Sequence, residues 1–127
     1  MNTIIKETSN SILEYKNNIM VVRLKEHADI TLETMIEQHE AQKSLVGKDK
    51  YAVLVDGSKN SNPTPEAKKY MANHNPPNRM ATAIVSNNNT ATVIVGNFYI
   101  KMNKPVIPTK LFKSEDKAMQ WLKQKLK

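Results

Sequence analysis

The order of apolar segments predicts an α/β domain. Its sheet is mainly parallel with about five strands, opened by an N-terminal antiparallel hairpin strand and covered by four helices. Three observations carry this. Strand-like runs alternate with helix-like stripes from Leu32 onward, as crossover connections between parallel strands require. Tyr51-Ala52-Val53-Leu54-Val55 is a continuous apolar run, as in a strand covered on both faces. The 127 residues suit one domain, read as 1–127. Such a chain buries roughly two-thirds of its unfolded surface without help from a metal or disulfide.

The elements follow in order. Residues 1–10 are expected to be a loosely ordered N-terminal segment. Ser11 to Tyr15 is a short extended segment, Asn17-Asn18 a turn, and Ile19 to Leu24 a β-branched, mostly apolar strand. Thr31 is an N-cap, with Glu33 adding negative charge in the first turn. Leu32, Met35, Ile36, His39 and Val46 fall on one helical face, and Gly47 stops the helix. The central strand ends at Asp56-Gly57. After a polar loop, Thr64-Pro65-Glu66 opens a second helix, an N-cap followed by proline at the first helical position and an acid. Asn75-Pro76-Pro77 breaks the chain, and Met80 to Ser86 is the next strand. Residues 90–102 are β-branched, yet Ala91, Ile94, Val95, Phe98 and Met102 form a helical stripe, and their length favours a helix. A last strand over 106–112 is placed at a sheet edge by Pro105 and Pro108. Ser114-Glu115-Asp116 caps a final amphipathic helix with Ala118, Trp121 and Leu122 inward.

Composition excludes several classes. With no cysteine, a disulfide framework, a thiolate nucleophile, an iron–sulfur site and a cysteine zinc site are ruled out. No run approaches the ~20 apolar residues of a membrane span. Met1 to Ser11 lacks the apolar core of a secretion signal, so a cytoplasmic location is expected. The net charge is +7, with seventeen lysines and only Arg23 and Arg79 as arginines, beside fourteen asparagines. This is the residue usage that A/T-rich codons produce. Sequence-specific nucleic-acid readers favour the arginine fork. The 6% aromatics show no interleaving with basic residues along the chain, which argues against nucleic acid as the partner. From Lys101 to Lys127, eight lysines face only Glu115 and Asp116, a net +6 and the one candidate anion-binding patch.

The element order and several local sequences resemble the STAS / SpoIIAA-like domains, in particular small stand-alone bacterial members. The carrying residues are Ala28-Asp29-Ile30-Thr31-Leu32, Tyr51-Ala52-Val53-Leu54-Val55-Asp56 and Glu66-Ala67-Lys68-Lys69-Tyr70. The C-terminal half adds Val95-Gly96-Asn97-Phe98-Tyr99, the run from Asn103 to Phe112, and Ser114 to Leu122. The resemblance covers Ser11 to Leu126. It implies a SpoIIAA-like fold and a regulatory module whose helix after the central strand carries a phosphorylated serine that switches partner binding. The aspartate–serine of that pattern falls on Thr64 and Pro65, so the switch serine is missing. Related proteins are proposed to bind small lipophilic ligands, which the resemblance offers as an analogy.

Candidate site residues are few. Asp56 stands where α/β folds place ligands, and equally where it can cap a turn with Gly57 and Ser58. Thr64 is an N-cap or a phosphorylation site, with Ser58 and Ser61 beside it in the loop. Ile94, Phe98 and Tyr99 belong to the 90–102 stripe, read as core or as the lining of a ligand cavity or dimer face. His39 is expected at the core edge, and His27 and His74 in solvated loops. No histidine pairs at metal spacing, so neither metal nor cofactor is expected. The leading reading is a non-enzymatic regulatory or interaction module. It would bind a protein partner or small apolar ligand around Asp56, Ser58, Thr64, Ile94, Phe98 and Tyr99. Anionic-surface binding through the C-terminal lysines is the alternative, and an enzyme pairing Asp56 with a histidine is a third class. An edge strand and an apolar helix make a homodimer compatible with the sequence.

Overall fold

The computed structural model describes residues 3–56, 63–85 and 106–127. Six strands and three helices lie within them. The strands are β1 (Ile4–Glu7), β2 (Ser11–Lys16), β3 (Ile19–Leu24), β4 (Tyr51–Asp56), β5 (Arg79–Val85) and β6 (Thr109–Phe112). The helices are α1 (Leu32–Val46), α2 (Pro65–Asn73) and α3 (Glu115–Lys125). The strands form one sheet in chain order, with β1–β2–β3 antiparallel and β3–β4–β5–β6 parallel.

Residues 1–10 are expected to be loosely ordered, but within the described part of that span Ile4–Glu7 form a strand. Ile4–Glu7 pair with β2, Ile4 opposite Tyr15 and Glu7 opposite Ile12. The strand escapes sequence reading because all four of its side chains are exposed, so it shows no alternation of apolar and polar residues. Its connection is nonetheless held from inside. The Thr8 amide donates to the Ser11 carbonyl at 2.8 Å, and Thr8, Asn10 and Ser11 are buried. Among the described residues the sheet therefore has six strands rather than about five.

The β2–β3 hairpin turns as expected on Asn17 and Asn18, both left-handed at φ 52° and 66°. Asparagine is among the few non-glycine residues that tolerate this pair of conformations, which suits the twist of a two-residue hairpin. The last strand is shorter than expected, starting at Thr109 rather than at 106. Pro108 cannot donate to the ladder, although its carbonyl accepts from the Thr82 amide at 2.9 Å. Val106 is left 78% exposed. The expected fourth helix over 90–102 lies outside the described residues.

Strand alternation sorts the core into two layers. On one face Leu13, Tyr15, Met20, Val22, Tyr51 and Val53 pack against Ala41, Leu45 and Val46 of α1. On the other, Ile19, Val21, Ala52, Leu54, Ala81, Ala83 and Val85 pack against Ala118 and Leu122 of α3. Small residues at Ala52, Ala81 and Ala83 let α3 approach closely. Helix α2 leans on α1 through Ile30, Met35 and Ala67, with Tyr70 and Met71 at the margin.

Helix α1 departs from its expected stripe. Ile36 is 41% exposed, while Gln38 and Gln42 are each only 2% exposed. The inward face is polar because it meets a hydrogen-bonded row. Arg79 Nη2 donates to Gln42 Oε1 at 2.9 Å, Gln42 Nε2 to Gln38 Oε1 at 3.0 Å, and Gln38 Nε2 to Asn10 Oδ1 at 3.2 Å. Thr8 Oγ1 joins Asn10 Oδ1 at 3.2 Å. The row runs beneath α1 from the start of β5 to the β1–β2 connection. Each member finds a partner, which is what makes buried amides tolerable.

Candidate functional site

The parallel strands run the same way, so their C-terminal ends make one edge of the molecule, where open α/β sheets gather ligands. Asp56 ends β4 on the α3 face of the sheet. It is not a lone carboxylate. Arg23, at the end of the neighbouring β3 and directly paired with it in register, donates from Nη1 to Asp56 Oδ2 at 3.1 Å. The same guanidinium donates from Nε to Glu14 Oε1 at 3.1 Å and from Nη1 to Glu115 Oε1 at 3.0 Å. One planar fork thus joins β2, β3, β4 and the first turn of α3. These carboxylates, Glu115 and Glu14 foremost, hold the Arg23 proton more tightly than usual. The turn-capping role expected of Asp56 with Gly57 and Ser58 involves residues outside the described ones.

Thr64 serves as the N-cap of α2. Its Oγ1 accepts from the Ala67 amide at 3.2 Å, and Pro65 follows at the first helical position. Its own amide donates to the Ile30 carbonyl at 3.0 Å, tying the start of α2 to the segment entering α1. The end of β4 and the start of α2 are thus each tied to a neighbouring element, Asp56 by Arg23 on the α3 face and Thr64 by Ile30 on the α1 face. Ser58, Ser61, Ile94, Phe98 and Tyr99 lie outside the described residues.

Of the three histidines, His74 departs from expectation: it is half-buried rather than in a solvated loop. Its ring stacks on His39 with centroids 3.9 Å apart and planes 15° apart, and Tyr70 closes the group at 5.2 Å from His39. His39 is 6% exposed, and its Nδ1 has no hydrogen-bond partner. Burial, then His74 and Arg79, push its pKa down to about 2; burial and Arg79 push His74 down to about 4. Both rings are neutral at physiological pH. His27 is exposed, as expected, in a left-handed conformation at φ 57°. The stack sits by Arg79 and Tyr51, at the N-terminal ends of β5 and β4. Asp56 is five residues further along β4, about 16 Å of extended chain. The fold thus sets Asp56 and the histidine stack at opposite ends of the sheet, and among the described residues no group of three metal-ligating side chains forms.

Sequence reading missed both arginines as hubs. Arg79 donates to Gln42 and, at 3.3 Å, to the Tyr51 hydroxyl, and lies over the Tyr51 ring at 5.6 Å. The available signal was scarcity. In a chain that uses lysine almost everywhere, the two arginines stand where a rigid multi-donor fork is needed and a point charge does not suffice.

A mixed sheet with α1 and α2 on one face and α3 on the other gives an α/β fold that is SpoIIAA-like by its structural neighbour. The same architecture is found in the crystal structure of an uncharacterised DUF3478-family protein with a SpoIIAA-like fold from Shewanella loihica PV-4. That likeness has a TM-score of 0.50 at 13% identity, over 95% of this chain and 92% of that one. The chain belongs to the family described as domain of unknown function DUF7793, whose model matches residues 13–126. A protein of unknown function from Arthrobacter sp. FB24 is also similar, at 23% identity and TM-score 0.33 over 87% of this chain and 97% of that one. No protein with a curated description matches. No helix among the described residues is long and apolar enough to cross a membrane.

Proposed function

We propose that this protein is a non-enzymatic interaction module that engages a protein partner at the C-terminal ends of its parallel strands, around Asp56 and Thr64. The observation that carries the reading is that Asp56, at the end of β4, and Thr64, at the start of α2, are each held by a neighbouring element. Asp56 is held by Arg23, and Thr64 by the Ile30 carbonyl and its own cap. Asp56 and Thr64, each fixed on a rigid element, are presented at low entropic cost, which favours recognition over chemistry. The distance between Asp56 and the histidine stack supports the same reading, since acid–base work needs a partner within hydrogen-bond reach. A serine switch of the kind the SpoIIAA resemblance implies has no hydroxyl at Pro65, so regulation falls to Thr64, Ser58 or Ser61. A phosphate on Thr64 would meet the N-terminus of α2, where the helix dipole favours negative charge.

The test is quantitative capture from an extract of the protein's own host, using the wild type, Thr64→Asp and Arg23→Ala, each with its melting temperature measured. A partner recovered by the wild type and lost with folded Thr64→Asp supports the reading. Equal recovery across all three overturns it. Native against denaturing mass spectrometry covers the small-ligand alternative: an adduct shed on denaturation replaces protein recognition with ligand carriage.

A further inference from the structure

Aromatic and basic residues that are scattered along the sequence meet on the outer surface where β6 and α3 adjoin. Lys110 and Phe112 are two apart on β6, pair with Ala83 and Val85, and so share the α3 face of the sheet. Trp121 and Lys125 are four apart on α3, one turn along a single helix face. The Phe112 and Trp121 rings lie 5.5 Å apart and tilted by 51°. The Lys110 ammonium stands 5.4 Å from the centre of the Phe112 ring, and that of Lys125 5.6 Å from Trp121. The four side chains form a row, cation–ring–ring–cation, with both rings half-buried against the core and both lysines exposed.

The surrounding charge is mainly positive, with Asp116 the exposed acid that no ion pair among the described residues occupies. Lys113, Lys117, Lys123 and Lys127 are also exposed on this segment. From Lys117 to Lys127 there is no acidic residue. Of the two acids at the start of α3, Glu115 is already paired with Arg23 at 3.0 Å. Among the described residues, no lysine of β6 or α3 has a carboxylate within the 4.0 Å of an ion pair. Unpaired cations beside aromatic rings lack an anion, and the rings give that anion a preferred companion group.

We infer that the Lys110–Phe112–Trp121–Lys125 row is a binding surface for single-stranded nucleic acid, read without sequence preference. Phosphates take the ammonium groups and a base takes the ring face that a lysine now covers, the exchange that single-strand binders use. A lysine-only phosphate set supplies point charges and no bidentate base contacts, hence the absence of sequence preference. The half-buried rings do not project as wedges, which favours a strand lying across them over insertion into a lipid surface. This surface is separate from the Asp56–Thr64 edge and stands or falls independently of it.

Trp121 is the single tryptophan of the chain and so reports directly on its own site. Titrating the full chain with a single-stranded oligothymidylate is expected to quench its emission. The Lys110→Ala/Lys125→Ala variant is expected to lower the slope of log affinity against log salt by about 1.4, at ~0.7 per lost phosphate contact. The Lys48→Ala/Lys50→Ala variant removes the same charge from exposed positions before β4 and is expected to leave affinity unchanged. By anisotropy of a labelled strand, Trp121→Leu is expected to weaken binding roughly fivefold or more. Should that variant fail to fold, the two lysine variants still decide. No quenching overturns the proposal. So does equal weakening in the two lysine variants, which means diffuse charge alone. Heparin or anionic phosphatidylserine vesicles altering Trp121 emission where the oligonucleotide does not would also overturn it, in favour of a bare polyanion site or a membrane surface.

Discussion

At the scale of single residues, charge placement decides more than charge content. His74 is neutral in the fold and free to protonate in the unfolded chain, so the unfolded state binds more protons below pH 6.5. Stability is therefore full above about pH 6.5 and is lost as pH falls toward 4. The loss is on the order of 1–2 kcal/mol once the screening of a half-exposed ring is counted. Thermal unfolding across that window reads it directly, and His74→Gln flattens the slope. His39 adds to the same loss, because burial keeps it neutral in the fold with a pKa of about 2 while the unfolded chain protonates it below pH 6.5. Arg23 makes the converse point. Arg23→Ala removes the guanidinium that Asp56, Glu14 and Glu115 share, at a cost of about 1–2 kcal/mol for a partly exposed cluster. Arg23→Lys recovers only part of this in urea unfolding, since one ammonium cannot present the fork that three carboxylates use.

At the scale of elements, the ends carry the information. Thr31, Thr64 and Ser114 each accept from the amide three residues on, and all three helices start where these caps place them. Thr64→Ala removes one such bond and should cost about 1 kcal/mol, whereas Thr64→Ser should cost little. Helix α1 stops at Gly47, whose φ of +56° favours glycine although a Cβ there would meet nothing within 4 Å. Gly47→Ala therefore tests backbone strain alone, and a drop of roughly 1–2 kcal/mol in chemical unfolding is the expected result. These caps were legible in the sequence because each is a local event within four residues. The burial of α1 was not. Gln38 and Gln42 read as the solvent side of an amphipathic helix, and only the partners Asn10 and Arg79, far off along the chain, make their burial affordable.

At the scale of the whole molecule, residues 4–11 are structural. They add a strand to the sheet edge and deliver Thr8 and Asn10 to the polar row beneath α1. Removing residues 1–9 deletes the β1–β2 pairing, Lys6 opposite Leu13 included, and cuts the row at Thr8. The truncated chain should lose several kcal/mol in urea unfolding, more than loss of an exposed tail would cost. An unchanged midpoint would mean that β1 is ornamental to the sheet. The Arg23 hub and the Arg79 hub likewise hold opposite ends of the parallel strands, each tying one helix layer to the sheet.

The amino-acid sequence by itself determined the α/β class, the central strand, the hairpin turn at Asn17-Asn18 and the cap of every described helix. Each of these depends on neighbours within a few residues, where apolar periodicity and capping chemistry act. It placed Asp56 and Thr64 at strand and helix ends for the same reason. Only the tertiary structure decided that Asp56 answers to Arg23, that His39 stacks on His74, and that Phe112 and Trp121 sit between two lysines. Those contacts join residues on different elements, and their energies arise from burial and charge proximity that exist only once the sheet has brought the elements together.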